Sequence, residues 1–243
     1  MTTSVYIGYK NHRIINPDWR RVKIAYYTYL SFKSLVRQRY DSFLFLKFGK
    51  FKYKSNIINK KYLDRAFKTG GVAFVSIHAD SYPLGVKIFG DFYNNRKIII
   101  PFYQKYKVSA YKYFKKKFSS HGVEMVRLGG AMREVESILS KGGSIVLFLD
   151  AELPVKHAVR VKMFGKDVSL STGPYYLAEK YGLTIIPFCV DRKEKNINLR
   201  LFKPIEHKGK SKEKVTQEAA DIIEKMILMN LRRWQLFDKV LQN

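Results

Sequence analysis

The sequence predicts an α/β domain with a mostly parallel sheet flanked by helices, preceded by an amphipathic N-terminal helix. Three observations carry that expectation. From residue 70 onward, short β-favouring runs alternate with helical stretches of ten or more residues, the pattern of parallel strands joined by crossover helices. The runs in "GGVAFVSIH", "KIIIPFY", "SIVLFLD" and "LTIIPFCV" are largely apolar, as suits strands covered on both faces. Hydrophobic residues make up 46% of the 243-residue chain and aromatics 15%, enough for a sizeable core.

Residues 1–50 form an N-terminal helical extension in this reading, and 51–243 the α/β domain. Within 19–48, Val22, Ala25, Tyr29, Phe32 and Val36 recur at three- and four-residue steps with Arg and Lys between them, which predicts a helix with one aromatic and apolar face. Two uses of that face are open: packing on the domain, or lying on an anionic membrane surface. The strand "GGVAFVSIH" is followed by a turn and short helix, "DSYPLGVKIFGDFY". "KIIIPFY" is a strand, "SAYKYFKKKFSSHG" a basic helix stopped by Gly122, and "VEMVRL" a strand. "AMREVESILSKGG" is a helix ended by glycines, leading into the strand "SIVLFLD". "STGPYYLAEKYG" is a helix entered through Ser171 or Thr172, with Pro174 in its first turn. The strands "LTIIPFCV" and "INLRLFKPI" and a long closing helix from Lys212 complete the chain.

Charge narrows the partners. Against 20 acidic residues stand 46 Lys and Arg, a formal net charge of +26, which favours anionic partners: nucleic acid, anionic lipid or an acidic carrier protein. The single cysteine, Cys189, excludes an internal disulfide and suits a cytosol-facing protein; its apolar neighbours predict plain core packing. No apolar run reaches the roughly 18 residues needed to span a bilayer, and the N-terminus lacks the pattern of a secretory signal. The expectation is a cytoplasmic protein, soluble or peripheral on the inner face of the cell membrane.

Candidate chemistry gathers at strand ends, where open α/β sheets bind ligands. His78 ends one candidate strand, with Asp80 two residues on, and Asp150 ends another in "SIVLFLDAELP". Polar residues at corresponding strand tips converge on one cleft. A histidine in such a turn serves either as a general base or as an ordinary hydrogen-bonded turn residue. His121 at a helix end and His12 and His207 in basic surroundings are weaker candidates, as is His157 on a loop able to cover the site. No Cys/His or carboxylate spacing predicts a metal. "LGG" and "KGG" are too short for a phosphate loop, so no nucleotide cofactor is expected, and Gly-x-Ser-x-Gly is absent.

Five segments in order resemble the lipid A biosynthesis (lauroyl/myristoyl) acyltransferase family, part of a wider glycerolipid-acyltransferase-like group. "GGVAFVSIHADSYPLG" is similar to the family's strand ending in its catalytic histidine, and "IIIPFYQKYK" to its next strand and tyrosine-containing turn. "ILSKGGSIVLFLDAE" is similar to its glycine pair, apolar strand and acidic end. "VKMFGKDVSLSTGPYYLAEKYGLTIIPF" matches its Phe-Gly, threonine-and-glycine and apolar-Pro segments, and "LRRWQLF" loosely its C-terminal region. The resemblance spans about residues 20–238 and implies a glycerolipid-acyltransferase-like fold and acyl transfer, with His78 as general base. It also implies substrate-binding roles for Tyr103, Gln104, Lys105, Asp150, Glu152 and Thr172.

Three departures qualify the likeness. The family places Asp or Glu five residues after its histidine, where this chain has Pro83. It tends to place arginine after the tyrosine of the second segment, where this chain has Gln104 and then Lys105. Its N-terminal membrane-spanning segment has no counterpart here. Asp80, nearest in sequence, is the first candidate to replace the missing acid; Asp150 and Glu152 are the others, and Asp80 could instead cap a helix.

The leading function is therefore transfer of a fatty acyl group from a thioester, on acyl carrier protein or coenzyme A, to a hydroxyl or amine acceptor. The acyl chain would lie among aromatics such as Phe74, Phe102 and Tyr103, and an acidic acyl carrier protein would be steered in by the basic surface. Two rivals come from other classes. One is an inactive relative acting as a basic membrane- or carrier-binding module. The other is a nucleic-acid binder, on the strength of "YQKYKVSAYKYFKKKF".

Overall fold

Strand β2 (Val72–Ser76) lies at the middle of the sheet and is wholly buried. Its alternate side chains feed two different cores: Ala73 and Val75 point into one apolar cluster, Val72 and Phe74 into the other. That is why its sequence reads as an unbroken apolar run. The computed structural model describes residues 2–50, 52–80, 82–93, 96–102, 115–116, 118–119, 122–127, 132–151, 157–235 and 241.

In chain order the elements are α1 (Thr2–Ile15), α2 (Arg21–Phe48), β1 (Lys54–Ile58), α3 (Lys61–Thr69), β2, α4 (Tyr82–Phe92), β3 (Ile98–Phe102) and β4 (Val123–Arg127). There follow α5 (Met132–Leu139), β5 (Ser144–Phe148), β6 (Ala158–Met163), β7 (Lys166–Ser171), α6 (Gly173–Tyr181), β8 (Thr184–Lys193), β9 (Asn196–Leu201) and α7 (Lys212–Met229). The seven-stranded sheet has the order β1-β9-β8-β2-β5-β3-β4. Strands β8, β2, β5, β3 and β4 run parallel. β9 turns back antiparallel on β8, and β1 follows β9. The fold is the predicted α/β class, with a mostly parallel sheet between helices.

The glycine pairs belong to this sheet. A Cβ on Gly71 would sit 1.9 Å from the carbonyl oxygen of Gly143, so the chain entering β2 approaches the chain entering β5 this closely only because residue 71 has no side chain, while a Cβ on Gly143 would meet the Ile138 carbonyl oxygen at 2.7 Å. Cys189 is buried in the core as expected, and burial pushes its thiol up to about 12.

Several elements depart from the sequence reading. α1 and the pair β1–α3 were not anticipated. The stretch after His157, expected as part of a loop able to cover the site, enters a β-hairpin (β6–β7) turning through Phe164 and Gly165, both at positive φ, the geometry of a tight primed turn. Its edge is secured by Gln217 of α7, whose side chain donates to the Lys162 carbonyl (2.9 Å) and accepts from the Lys162 N–H (2.8 Å). Helix α6 follows Thr172 at the N-cap with Pro174 in its first turn, as expected; the Thr172 side chain makes no capping bond, and Ser171 Oγ accepts from the Gly173 N–H (3.1 Å). The basic helix expected before Gly122 lies mostly outside the described residues.

α2 answers the question its sequence left open. Val22, Tyr29 and Val36, on the face open between packing on the domain and lying on a membrane surface, are exposed. The buried side carries Ile24, Thr28, Ser31, Ser34, Gln38, Asp41 and Phe45. It docks through polar contacts: Ser31 Oγ donates to the Leu231 carbonyl (3.1 Å), and Asp41 meets Arg192 (2.9 Å) and Tyr53 (2.6 Å).

α1 docks through His12, whose Nε2 lies 3.1 Å from Ser31 Oγ and whose ring abuts Tyr27 and Trp234 edge-on. Burial lowers the His12 pKa to about 4. The unfolded chain takes up that proton from its ordinary value near 6.5, so stability should fall as pH drops from about 6.5 to about 4, by about 3 kcal/mol in all. Urea unfolding at pH 7 and pH 4 checks this. The His12→Gln variant should lack that share of the acid loss.

Candidate active site

Parallel register brings two strand tips together. Ser76 of β2 lies opposite Phe148 of β5, and the Leu149 N–H donates to the Ser76 carbonyl (3.1 Å), continuing the alignment past the ends of both strands. Two residues further along each chain stand His78 and Asp150. The chain turns sharply at His78, where the Ala79 N–H donates to the Ile77 carbonyl (3.0 Å), a three-residue turn.

Asp150 is fully buried, and its two oxygens are held by three donors. Oδ1 lies 2.8 Å from His78 Nδ1, while Oδ2 accepts the His78 backbone N–H (2.8 Å) and the Trp234 indole N–H (3.0 Å). A buried carboxylate is tolerable only with such partners. With the carboxylate accepting from Nδ1–H, the imidazole is held as the tautomer whose Nε2 is the unprotonated nitrogen. The His78 side chain remains 28% exposed, and its ring rests on Phe148 with centroids 4.4 Å apart. The arrangement is an imidazole oriented by a carboxylate at the sheet's carboxyl edge, a geometry that suits proton transfer with a hydroxyl or amine.

The turn is clamped from the C-terminal side. The His78 carbonyl accepts from the Gln235 N–H (2.8 Å), the Asp80 N–H donates to the Arg233 carbonyl (3.0 Å), and Ala79 bridges Trp234. Gln235 Nε2 also donates to the Asp80 carbonyl (2.6 Å). One short segment thus fixes both the backbone around His78 and, through the indole, the carboxylate that orients it.

Asp80 requires a correction. It was expected first as the orienting acid, but the sequence-adjacent carboxylate belongs to a different network. Its backbone is left-handed (φ 48°). Its Oδ2 accepts from the Arg192 N–H (3.0 Å) and Arg233 Nη1 (3.2 Å), and Oδ1 pairs with Arg192 Nη2 (3.1 Å). Arg192 continues to Asp41 on α2. The chain of charges ties the turn to β8 and α2. An Asp80→Ala variant, which takes one carboxylate from the buried Arg192 and leaves it Asp41, should lose about 1–3 kcal/mol of stability. Urea denaturation measures this, and activity per folded molecule should stay within a few-fold of wild type.

The remaining candidates divide. Thr172 Oγ1 donates to the His157 carbonyl (3.3 Å), a structural tie between β6 and α6. Phe74, expected beside the acyl chain, is a core residue stacked on Phe89 and Phe188. Tyr103, Gln104, Lys105 and Glu152 lie outside the described residues, as does the Phe102 side chain. Pro83 falls in the first turn of α4, a position that tolerates proline. Sequence reasoning missed Trp234 as a partner of the acid, and Arg192 and Arg233 as partners of Asp80. "LRRWQLF" was the one signal for two of the three. Among the described residues no cluster of His, Cys, Asp and Glu could hold a metal, and no helix is long and apolar enough to cross a membrane.

Comparison with known proteins adds a family. No curated protein matches the chain. The sequence model of the family described as bacterial lipid A biosynthesis acyltransferase matches residues 27–243, a span that holds all of the sheet and both residues of the His78–Asp150 pair. An α/β sheet with a histidine and a carboxylate at adjacent strand tips agrees with that match, and the chain belongs to the bacterial lipid A biosynthesis acyltransferase family.

Proposed function

We propose that this acyltransferase moves a fatty acyl group from the thioester of an acidic acyl carrier protein to a hydroxyl or amine of a lipid acceptor at the inner face of the membrane. His78 is the general base in this reading, and Asp150 is the residue that positions it. The observation that carries it is the 2.8 Å contact between His78 Nδ1 and a fully buried carboxylate. Nε2 takes the proton of the acceptor as its oxygen or nitrogen attacks the thioester carbonyl. The tetrahedral intermediate then collapses, the C–S bond breaks, and the leaving thiolate takes the proton back from Nε2. Tyr103, Gln104, Lys105 and Glu152 are assigned to substrate binding on the family resemblance. No metal or organic cofactor enters this chemistry.

Incubating the protein with acyl carrier thioesters of several chain lengths and extracted bacterial lipids, then weighing the lipids by mass spectrometry, tests the reading. An acceptor heavier by one acyl group is expected. An unchanged lipid profile with every donor would refute it.

The carrier is assigned from the +26 net charge, which steers an acidic donor. The double substitution Lys115→Glu and Lys116→Glu should raise KM for the carrier-bound donor several-fold and weaken its salt dependence. A short acyl cysteamine should be used as before. An equal rise in KM for both donors would remove the carrier.

A further inference from the structure

Helix α2 is amphipathic in the inverted sense. Its inner side is largely polar, as described above, while Val22 is 82% exposed and Tyr26, Tyr29, Val36, Tyr40 and Phe43 are each more than half exposed. These six, with Lys33 and Lys47, follow one another at alternating four- and three-residue steps, so they form a single straight stripe. From residue 22 to residue 47 it runs roughly 37 Å at 1.5 Å per residue. A soluble helix normally shows the opposite arrangement, and a contiguous exposed apolar patch of this length marks an interaction surface.

The charges on the helix say what fits there. Arg21, Lys23, Lys33, Arg37, Arg39 and Lys47 are all exposed. The helix has one acid, Asp41, and that is buried against Arg192 and Tyr53. The outward face therefore carries only positive charge around tyrosine, valine and phenylalanine. A second copy of this chain would set two such faces against each other and repel. A straight aromatic stripe in a field of lysine and arginine matches an anionic bilayer interface, where tyrosines sit at headgroup depth and lysines extend to the phosphates.

We propose that the outer face of α2 lies flat on anionic phospholipid headgroups and holds the protein on the membrane surface. This deepens the reading given above, in which the acceptor is a lipid, by naming the surface that meets the bilayer.

Co-sedimentation of the full chain with vesicles tests it. The protein should pellet with phosphatidylcholine–phosphatidylglycerol vesicles and remain in solution with phosphatidylcholine alone. The triple variant Tyr29→Ser, Val36→Ser, Tyr40→Ser removes only exposed side chains, so it should melt as wild type does while its partitioning falls about tenfold or more. Lys33→Glu, Arg39→Glu, Lys47→Glu should abolish the preference for anionic vesicles, with the largest difference at low salt. A serine variant that pellets like wild type would overturn the proposal. So would a wild-type protein that ignores anionic vesicles, or a dimer that the serine substitutions convert to monomer. His78→Ala should bind vesicles as wild type does, which separates failure of this proposal from failure of the catalytic one.

Discussion

Asp150→Asn should lower kcat by about 10²–10⁴-fold, in line with losing the orienting acid of a serine-protease triad. Asparagine has almost the same shape, so the Trp234 indole and the His78 N–H can still donate to its side-chain oxygen. The amide nitrogen then faces His78 Nδ1, across the 2.8 Å contact that a carboxylate oxygen makes in the native protein. An NH₂ group there requires Nδ1 as acceptor, which moves the ring proton to Nε2 and removes the lone pair that accepts the substrate proton. KM should change little. Histidine ¹⁵N spectra provide a readout that a purely structural role would leave unmoved: the protonated nitrogen of His78 should switch from Nδ1 to Nε2.

His78→Ala should reduce acyl transfer by about 10²–10⁴-fold as well, the usual contribution of a positioned general base. The two losses should be of similar size because the residues act as one unit. The turn itself should survive, since its backbone bonds to Gln235 and Arg233 do not involve the imidazole. The variant leaves Asp150 with the Trp234 indole and the residue 78 N–H as donors, so melting should shift by only a few degrees. Normal turnover in a folded His78→Ala protein would remove the proposed mechanism.

The sheet was legible in the sequence because its central strands are buried on both faces. Val72–Ser76, Ser144–Phe148 and the first seven residues of β8 are apolar runs bounded by glycine or polar residues, and Ile98–Phe102 is another. The β6–β7 hairpin was not legible in the same way. Val161 and Met163 point inward, as do Val168 and Leu170, with polar residues between. That alternation was a signal, but it spans only a few residues on each side of the Phe164–Gly165 turn. α2 left its inner side unread for a related reason. Its periodic face was real, yet periodicity does not say which side is inward, and Ser31 and Asp41 are buried against the Leu231 carbonyl, Arg192 and Tyr53, partners distant in the chain or carried on another element.

The site shows the same division. His78 and Asp150 could be placed at corresponding strand tips from the pattern alone; that their strands are neighbours is a matter of sheet order, which the pattern does not carry. Which carboxylate serves the imidazole could not be read, because proximity along the chain favoured Asp80. The deciding contacts come from Arg192, Arg233 and Trp234, each more than 80 residues from its carboxylate partner. A left-handed residue at position 80 and an indole arriving from the C-terminal segment leave no mark on a short stretch of sequence.

Single-turnover acyl transfer by Asp150→Asn and Asp80→Asn, side by side and corrected for folded fraction, tests the pairing of His78 with Asp150 most directly. The account predicts that Asp150→Asn falls by about 10² or more while Asp80→Asn stays within a few-fold of wild type. A collapse in Asp80→Asn with near-normal transfer in Asp150→Asn would contradict it.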